Sequence, residues 1–211
     1  MALTSRQLQQ KRERKSAKDK QRRNLIGGAS SANSGIRELS FAIQFPVHEC
    51  MISKDLHSSG IGDLLVSRKL PNGKVSFSMF LLDMYCMGVK DAFFRTVPIE
   101  QYQVIIERRH NDMDSIQSTC AKKLIDGAVA YANMLGLAPH NDYKLAKILL
   151  DDIDASLCPT EFEYGSDGKP LYITGQDDTP AQARFVYNQL IKNCGEGNFD
   201  FVIASDTEEE E

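Results

Sequence analysis

The alternation of apolar and polar positions is clearest between Ile61 and Met87. Two β-rich runs flank Pro71-Asn72-Gly73, and this turn signal predicts a hairpin over 61–87. In the second run Val75, Phe77, Met79, Leu81, Asp83 and Tyr85 share one face of a strand. Ser76, Ser78, Phe80, Leu82, Met84 and Cys86 share the other. Both faces turn apolar after Met79, so the strand end is expected to be covered on both sides. Upstream, "FPVHECMIS" (Phe45 to Ser53) reads as a short strand after Pro46.

The period then changes from two to 3.6. Pro98 suits the first turn of a helix running to about Arg109, with Ile99, Tyr102 and Ile106 on one side. The longest helix is expected from about Asp114 to Leu135. Its stripe is Ile116, Cys120, Leu124, Ala128, Tyr131 and Leu135, and Gly136 ends it. Asn141 can cap a third helix, with Tyr143, Ala146, Leu150 and Ile153 inward. "EYGSDGKPLYIT" reads as a second hairpin or a β-loop turning at Asp167-Gly168. Thr179-Pro180 opens a last helix carrying Phe185, Val186 and Leu190, and "GEGNFDFVIAS" supplies a Gly-rich turn and a final strand. The order of elements predicts an α+β domain: an antiparallel sheet seeded by the hairpin, packed against three to four helices.

The termini do not share these patterns. Between Thr4 and Asn24 only Leu8 and Ala17 are apolar, although Thr4 and Gln7 match a capping box. A helix polar all round has no face to bury, so this segment is expected to be a fraying helix or disordered, becoming regular on a partner. "GGASSANSG" (Gly27 to Gly35) reads as a flexible linker. The chain ends "DTEEEE". The expected organisation is a basic tail and linker over 1–35, one domain over 36–204, and an acidic disordered tail over 205–211.

Charge sharpens that division. Residues 1–23 hold nine basic groups, Arg6, Lys11, Arg12, Arg14, Lys15, Lys18, Lys20, Arg22 and Arg23, against Glu13 and Asp19, a net +7. The other residues hold sixteen basic and twenty-seven acidic groups, a net −11. Lys/Arg clusters neutralise phosphates and release counterions, and without interleaved aromatics they contact the nucleic-acid backbone rather than stack on bases. The expected partner is therefore RNA or the ribosome. A solvated charge run, a localisation signal and an intramolecular partner for the acidic end are the competing readings. No apolar run is long enough to span a membrane, and none follows the basic segment as in a secretory signal. With no export signal and no CxxC, the five cysteines are expected to be reduced thiols in a cytoplasmic protein.

Candidate chemistry sits at the end of the hairpin. Asp83 on an apolar face needs a partner or a raised pKa. With Lys90 and Asp91 beyond Gly88 it could form a carboxylate–lysine cluster for acid–base work or metal binding, or a salt-bridged turn that fixes the strand end. His48 and Cys50, two apart on a strand, are expected on one face. With Cys86 they could supply three zinc ligands or a Cys–His nucleophile pair, but no fourth ligand is evident and core packing of Cys50 and Cys86 is the simpler reading. No metal site is therefore assigned. "GEGNF" lacks the GK[ST] of a phosphate loop and starts a strand rather than a helix, so it reads as a turn needing positive φ. No cofactor fingerprint is found. His140 reads as a loop or cap residue, and His57 and His110 as exposed.

Taken together, "HEC", "GIGDLLVSRKLPNGKVSFSMFLLDMYCMGVKDAFF", "AVAYANMLGLAPHNDYKLAKILLDDID" and "GEGNFDFVI" resemble an uncharacterised domain family of bacterial proteins. The resemblance spans roughly residues 46–203, and members often carry a similar Lys/Arg-rich N-terminal stretch. It implies one coherent domain in a cytoplasmic setting and carries no catalytic residues over. Three functions follow as expectations: RNA or ribosome contact through the tail; a small enzyme with an acid–base or metal site around Asp83, Cys86, Lys90, Asp91 and His48; or an interaction module whose charged tails pair in cis.

Overall fold

The computed structural model describes residues 7, 32–175 and 178–203. Gln7 is helical and exposed. The nine basic tail residues, the linker before Ala32 and the acidic end lie outside the described residues.

The chain is α+β. Helix α1 (Ala32–Ala42) leads into β1 (Val47–Ser53), the one-turn α2 (Leu56–Ser59), then β2 (Ile61–Lys69), β3 (Lys74–Asp83) and β4 (Gly88–Pro98). Helix α3 (Ile99–Glu107), β5 (Met113–Ser115), α4 (Ser118–Met134) and α5 (Tyr143–Ala146) follow. A long irregular stretch then reaches β6 (Leu171–Ile173), α6 (Pro180–Cys194) and β7 (Asp200–Val202). The main sheet is antiparallel, in the order β4-β3-β2-β1-β5.

The expected hairpin is β2–β3, with Gly73 at positive φ in its turn. Alternation along β3 assigns its two faces. Val75, Phe77 and Met79 pack with Leu65, Met51 and Tyr102 against α3. Phe80 and Leu82 pack with Leu64, Val66 and Ile52 against Leu124 and Ile125 of α4 and Tyr143 and Ala146 of α5. Leu64, Leu65, Phe77 and Phe80 are fully buried. Each stabilises the fold by about 2 kcal/mol through apolar burial.

Several boundaries differ from the sequence reading. Helix α1 begins inside the presumed linker, at Ala32. Gly35 is a packing residue there: a Cβ would stand 2.4 Å from Phe94 Cζ. The long helix starts at Ser118, not Asp114, because Met113, Asp114 and Ser115 pair with β1 as an edge strand. The third helix has Asp142 rather than Asn141 at its N-cap and continues as a 3-10 turn over Lys147–Leu150. The 163–174 segment does turn at Asp167-Gly168, between bridged Ser166 and Lys169. It forms no second hairpin, since Leu171–Ile173 runs parallel to β7. α6 opens at the expected Thr179-Pro180, and Thr179 forms a capping box with Gln182.

Candidate functional site

Two β-bulges decide where the candidate residues lie. The β1–β2 register passes from Val47↔Arg68 to Glu49↔Ser67, leaving His48 as the extra residue. The β3–β4 register passes from Leu81↔Asp91 to Leu82↔Val89, leaving Lys90 as the extra residue. A bulge resets the alternation and swings its residue away from the ladder.

The first bulge separates His48 from Cys50. His48 is exposed, 3.9 Å from the Glu49 carboxylate and beside the Tyr102 ring. Cys50 is buried in the α4-side core with Ile52, Leu64 and Val66. The shared face expected from strict alternation is not formed. Burial pushes the Cys50 thiol up to about 12, with Arg68 opposing and Glu49 adding to the shift. Burial among Ile52, Leu64 and Val66 makes Cys50 a packing residue of this core. Tyr102 donates to Glu49 Oε1 at 2.6 Å, and its hydroxyl oxygen lies within hydrogen-bond distance of Ser67 Oγ at 3.0 Å. Burial, with the Glu49 hydrogen bond, raises its pKa.

The second bulge aims Lys90 away from the sheet. Its Nζ donates to Asp178 Oδ2 at 3.1 Å, from the segment entering α6. The same oxygen accepts from the Tyr172 hydroxyl and from the Gly175 amide, each at 2.8 Å. Lys90 and Asp178 are 16% and 11% exposed and Tyr172 is fully buried. Burial works to raise the Asp178 pKa, but the Lys90 charge and the three donated hydrogen bonds outweigh it and hold the carboxyl below its ordinary value. Tyr172 moves the other way, raised by burial and by the Asp178 charge. This Lys–Asp–Tyr group was not legible in the sequence, where Asp178 sits in an unpatterned loop 88 residues from Lys90.

The remaining candidates have structural settings. Asp83 is buried, and its Oδ1 accepts from the amides of Tyr85 (3.0 Å) and Cys86 (3.2 Å), fixing the turn from β3 into β4. Cys86 is buried with Ala132, Leu135, Tyr172 and Leu190. Asp91 lies 3.6 Å from His140 Nδ1, while the His140 amide donates to Val89 O. Lys90 and Asp91, adjacent in sequence, thus engage different partners. His140 is a loop residue, and His57 and His110 are exposed. Gly195 and Gly197 both have positive φ in the turn from α6 to β7, as the turn reading requires. Among the described residues no three His, Cys, Asp or Glu side chains are placed to share a metal ion.

One expectation about cysteine chemistry is overturned. Cys120, in the first turn of α4, is disulfide-bonded to Cys158, so the five cysteines are not all free thiols. Cys50, Cys86 and Cys194 are free. A separation of 38 residues hides this pair in the sequence, and only the return of the chain across α4 brings the two sulfurs together.

Among the described residues, six basic groups of the body pair with its own carboxylates. Lys54, Arg68, Lys90, Arg109, Lys122 and Lys123 pair with Asp114, Asp152, Asp178, Asp63, Asp126 and Glu161. Among the described residues no helix is long and apolar enough to cross a membrane. Comparison with protein-family models, with curated proteins and with solved structures found no match to this chain.

Proposed function

We propose that the chain is a cytoplasmic protein that contacts RNA or ribosomes through its first 23 residues. The observation that carries this reading is the charge split: +7 on residues 1–23 against −11 on the rest. Ion pairs of the body support it, because Lys54, Arg68, Lys90, Arg109, Lys122 and Lys123 are already matched by carboxylates among the described residues. The tail holds no Phe, Tyr or Trp, so its chemistry is phosphate neutralisation without base stacking. The acidic body repels the same phosphates and orients the complex tail-first.

The test is binding to ribosomes and to bulk RNA at 50 and 200 mM salt. Three proteins are compared: the full chain, a 25–211 truncation, and a full chain with the nine tail cations changed to Gln. If the tail neutralises about six phosphates, affinity for the full chain falls on the order of a thousandfold over that range. Both altered proteins lose the binding and its salt slope. Binding by the truncation with an unchanged salt slope refutes the proposal.

A further inference from the structure

From Asp151 to Lys169 the chain has no strand or α-helix, only the 3-10 turn Ala155–Leu157 and the Ser166–Lys169 bridge. Irregular segments of this length inside a compact domain are uncommon and are usually functional. Here the segment crosses α4. Lys123 pairs with Glu161 at 2.5 Å and donates to Cys158 O at 3.4 Å. His57 stacks on Phe162. Tyr164 donates to Leu124 O at 3.1 Å and lies over Gly127, where a Cβ would stand 2.1 Å from its hydroxyl. Beyond it, the Gly165 amide donates to Met84 O, which secures the far end to the β3–β4 turn.

The anchoring along this segment is uneven. Cys158 is its only buried residue, and most of its neighbours from Asp151 to Glu161 are exposed. The backbone hydrogen bonds of Leu157 and Cys158 are local, to Asp154 and Ala155. Glu161, the outer half of the ion pair, is 87% exposed, a setting in which such a pair contributes little. Phe162 packs on the α4-side core at one end, and the covalent link to Cys120 ties the more exposed stretch before it to α4.

We propose that residues 154–163 form a redox-gated strap, closed over α4 by the Cys120–Cys158 disulfide and released by its reduction. A dithiol reductant of the thioredoxin class supplies two electrons and two protons. The S–S bond breaks, Cys120 and Cys158 become thiols, and the reductant leaves as a disulfide. A disulfide oxidant reverses the step. Disulfides in reducing compartments are typically transient and redox-sensing, so the inference rests on the cytoplasmic setting proposed above. It does not rest on nucleic-acid binding. Opening hinges at Tyr164–Gly165, which keeps the Met84 contact, and uncovers α4 near Lys123 and Leu124.

The test uses the full chain, oxidised and then equilibrated with thioredoxin or with a reducing glutathione buffer. Strap opening is read as the rate of cleavage at Glu161 and Glu163 by a Glu-specific protease, mapped by mass spectrometry. Far-UV circular dichroism monitors the fold. The expected result is reduction of the pair with the fold intact and a cleavage rate at least about tenfold higher, because cleavage tracks the open population. Re-oxidation restores protection. The C120S/C158S variant is cleaved at the fast rate with or without reductant. An unchanged rate after reduction overturns the proposal, as does a pair that stays oxidised under these buffers in the folded protein. Neither readout depends on RNA, so failure of the tail reading leaves this result interpretable.

Discussion

Replacing Arg68 with Met is expected to destabilise the domain by about 3–5 kcal/mol, the combined cost of three carbonyls left without a donor. The side chain is 1% exposed. Its Nε and Nη2 donate to Leu149 O at 3.1 and 2.8 Å, and its Nη1 to Ile43 O at 3.2 Å and Phe45 O at 2.5 Å. Nη2 also meets the Asp152 carboxylate. One guanidinium on β2 therefore satisfies three carbonyls on two segments, the exit of α1 and the 3-10 turn after α5. Methionine fills a similar path but donates nothing. A stranded buried carbonyl costs about 1–3 kcal/mol, less where water can reach it. Leu149 O is in the buried class, and the bonds to Ile43 and Phe45 are only partly buried, so three orphans together give a loss in the stated range. Asp152 is 47% exposed, so its ion pair adds little. Urea unfolding followed by circular dichroism measures the loss. With a slope of about 2 kcal/mol per molar, the midpoint falls by roughly 2 M. Asp152→Asn, which keeps all three carbonyls bonded, is expected to cost under about 1 kcal/mol. The reasoning is refuted if Arg68→Met changes stability by less than about 1 kcal/mol, or if Asp152→Asn costs as much. The second result would place the energy in the ion pair rather than in the carbonyls.

Asp63→Ala is expected to cost about 3–5 kcal/mol, because it leaves the Arg109 charge buried beside Met79. The Asp63→Leu/Arg109→Met double variant recovers most of that loss, and a urea midpoint no better than the single variant's would sink the idea. Asp178→Asn tests the Lys–Asp–Tyr group through pH. The folded-state pKa of Asp178 is depressed, so its contribution is complete above the unfolded value of 3.8 and lost as pH falls through the folded one. Urea midpoints between about pH 7 and pH 2 should show an acid-side loss in the native chain that Asp178→Asn lacks. Identical acid slopes would mean that the carboxylate contributes nothing to stability.

The β2–β3 hairpin was legible because alternation and the Pro71-Asn72-Gly73 turn point to the same answer. The last helix was legible because its start is spelled out by Thr179 and Pro180. The bulges were not, since an extra residue in a ladder leaves no mark in composition. Strict alternation therefore put His48 beside Cys50 and missed the direction of Lys90. Gly35 misled for a related reason. A small residue that admits the Phe94 ring is indistinguishable in sequence from one that loosens a linker. Ile116 fell in phase with the stripe of α4 and does pack on the same core, yet the residues just before it belong to a strand. Partners far apart in the chain, Cys120 with Cys158 and Lys90 with Asp178, were set by the path of the segment after α5, which carries no periodic signal.

The covering of the sheet bears on where function can reside. β3 is buried along almost its whole length, one face by α4 and α5 and the other by α3. Polar groups within that frame serve the frame: Arg68 holds carbonyls, Asp83 holds a turn, and Asp63 neutralises Arg109. Replacing any of them trades stability before it trades chemistry. The body carries a net −11, so on the proposed reading attraction for a polyanion comes from residues 1–23. That arrangement separates the two properties experimentally. Changes at Arg68, Asp63 or Asp178 should move unfolding midpoints and leave the salt slope of nucleic-acid binding alone, and changes in the tail should do the reverse.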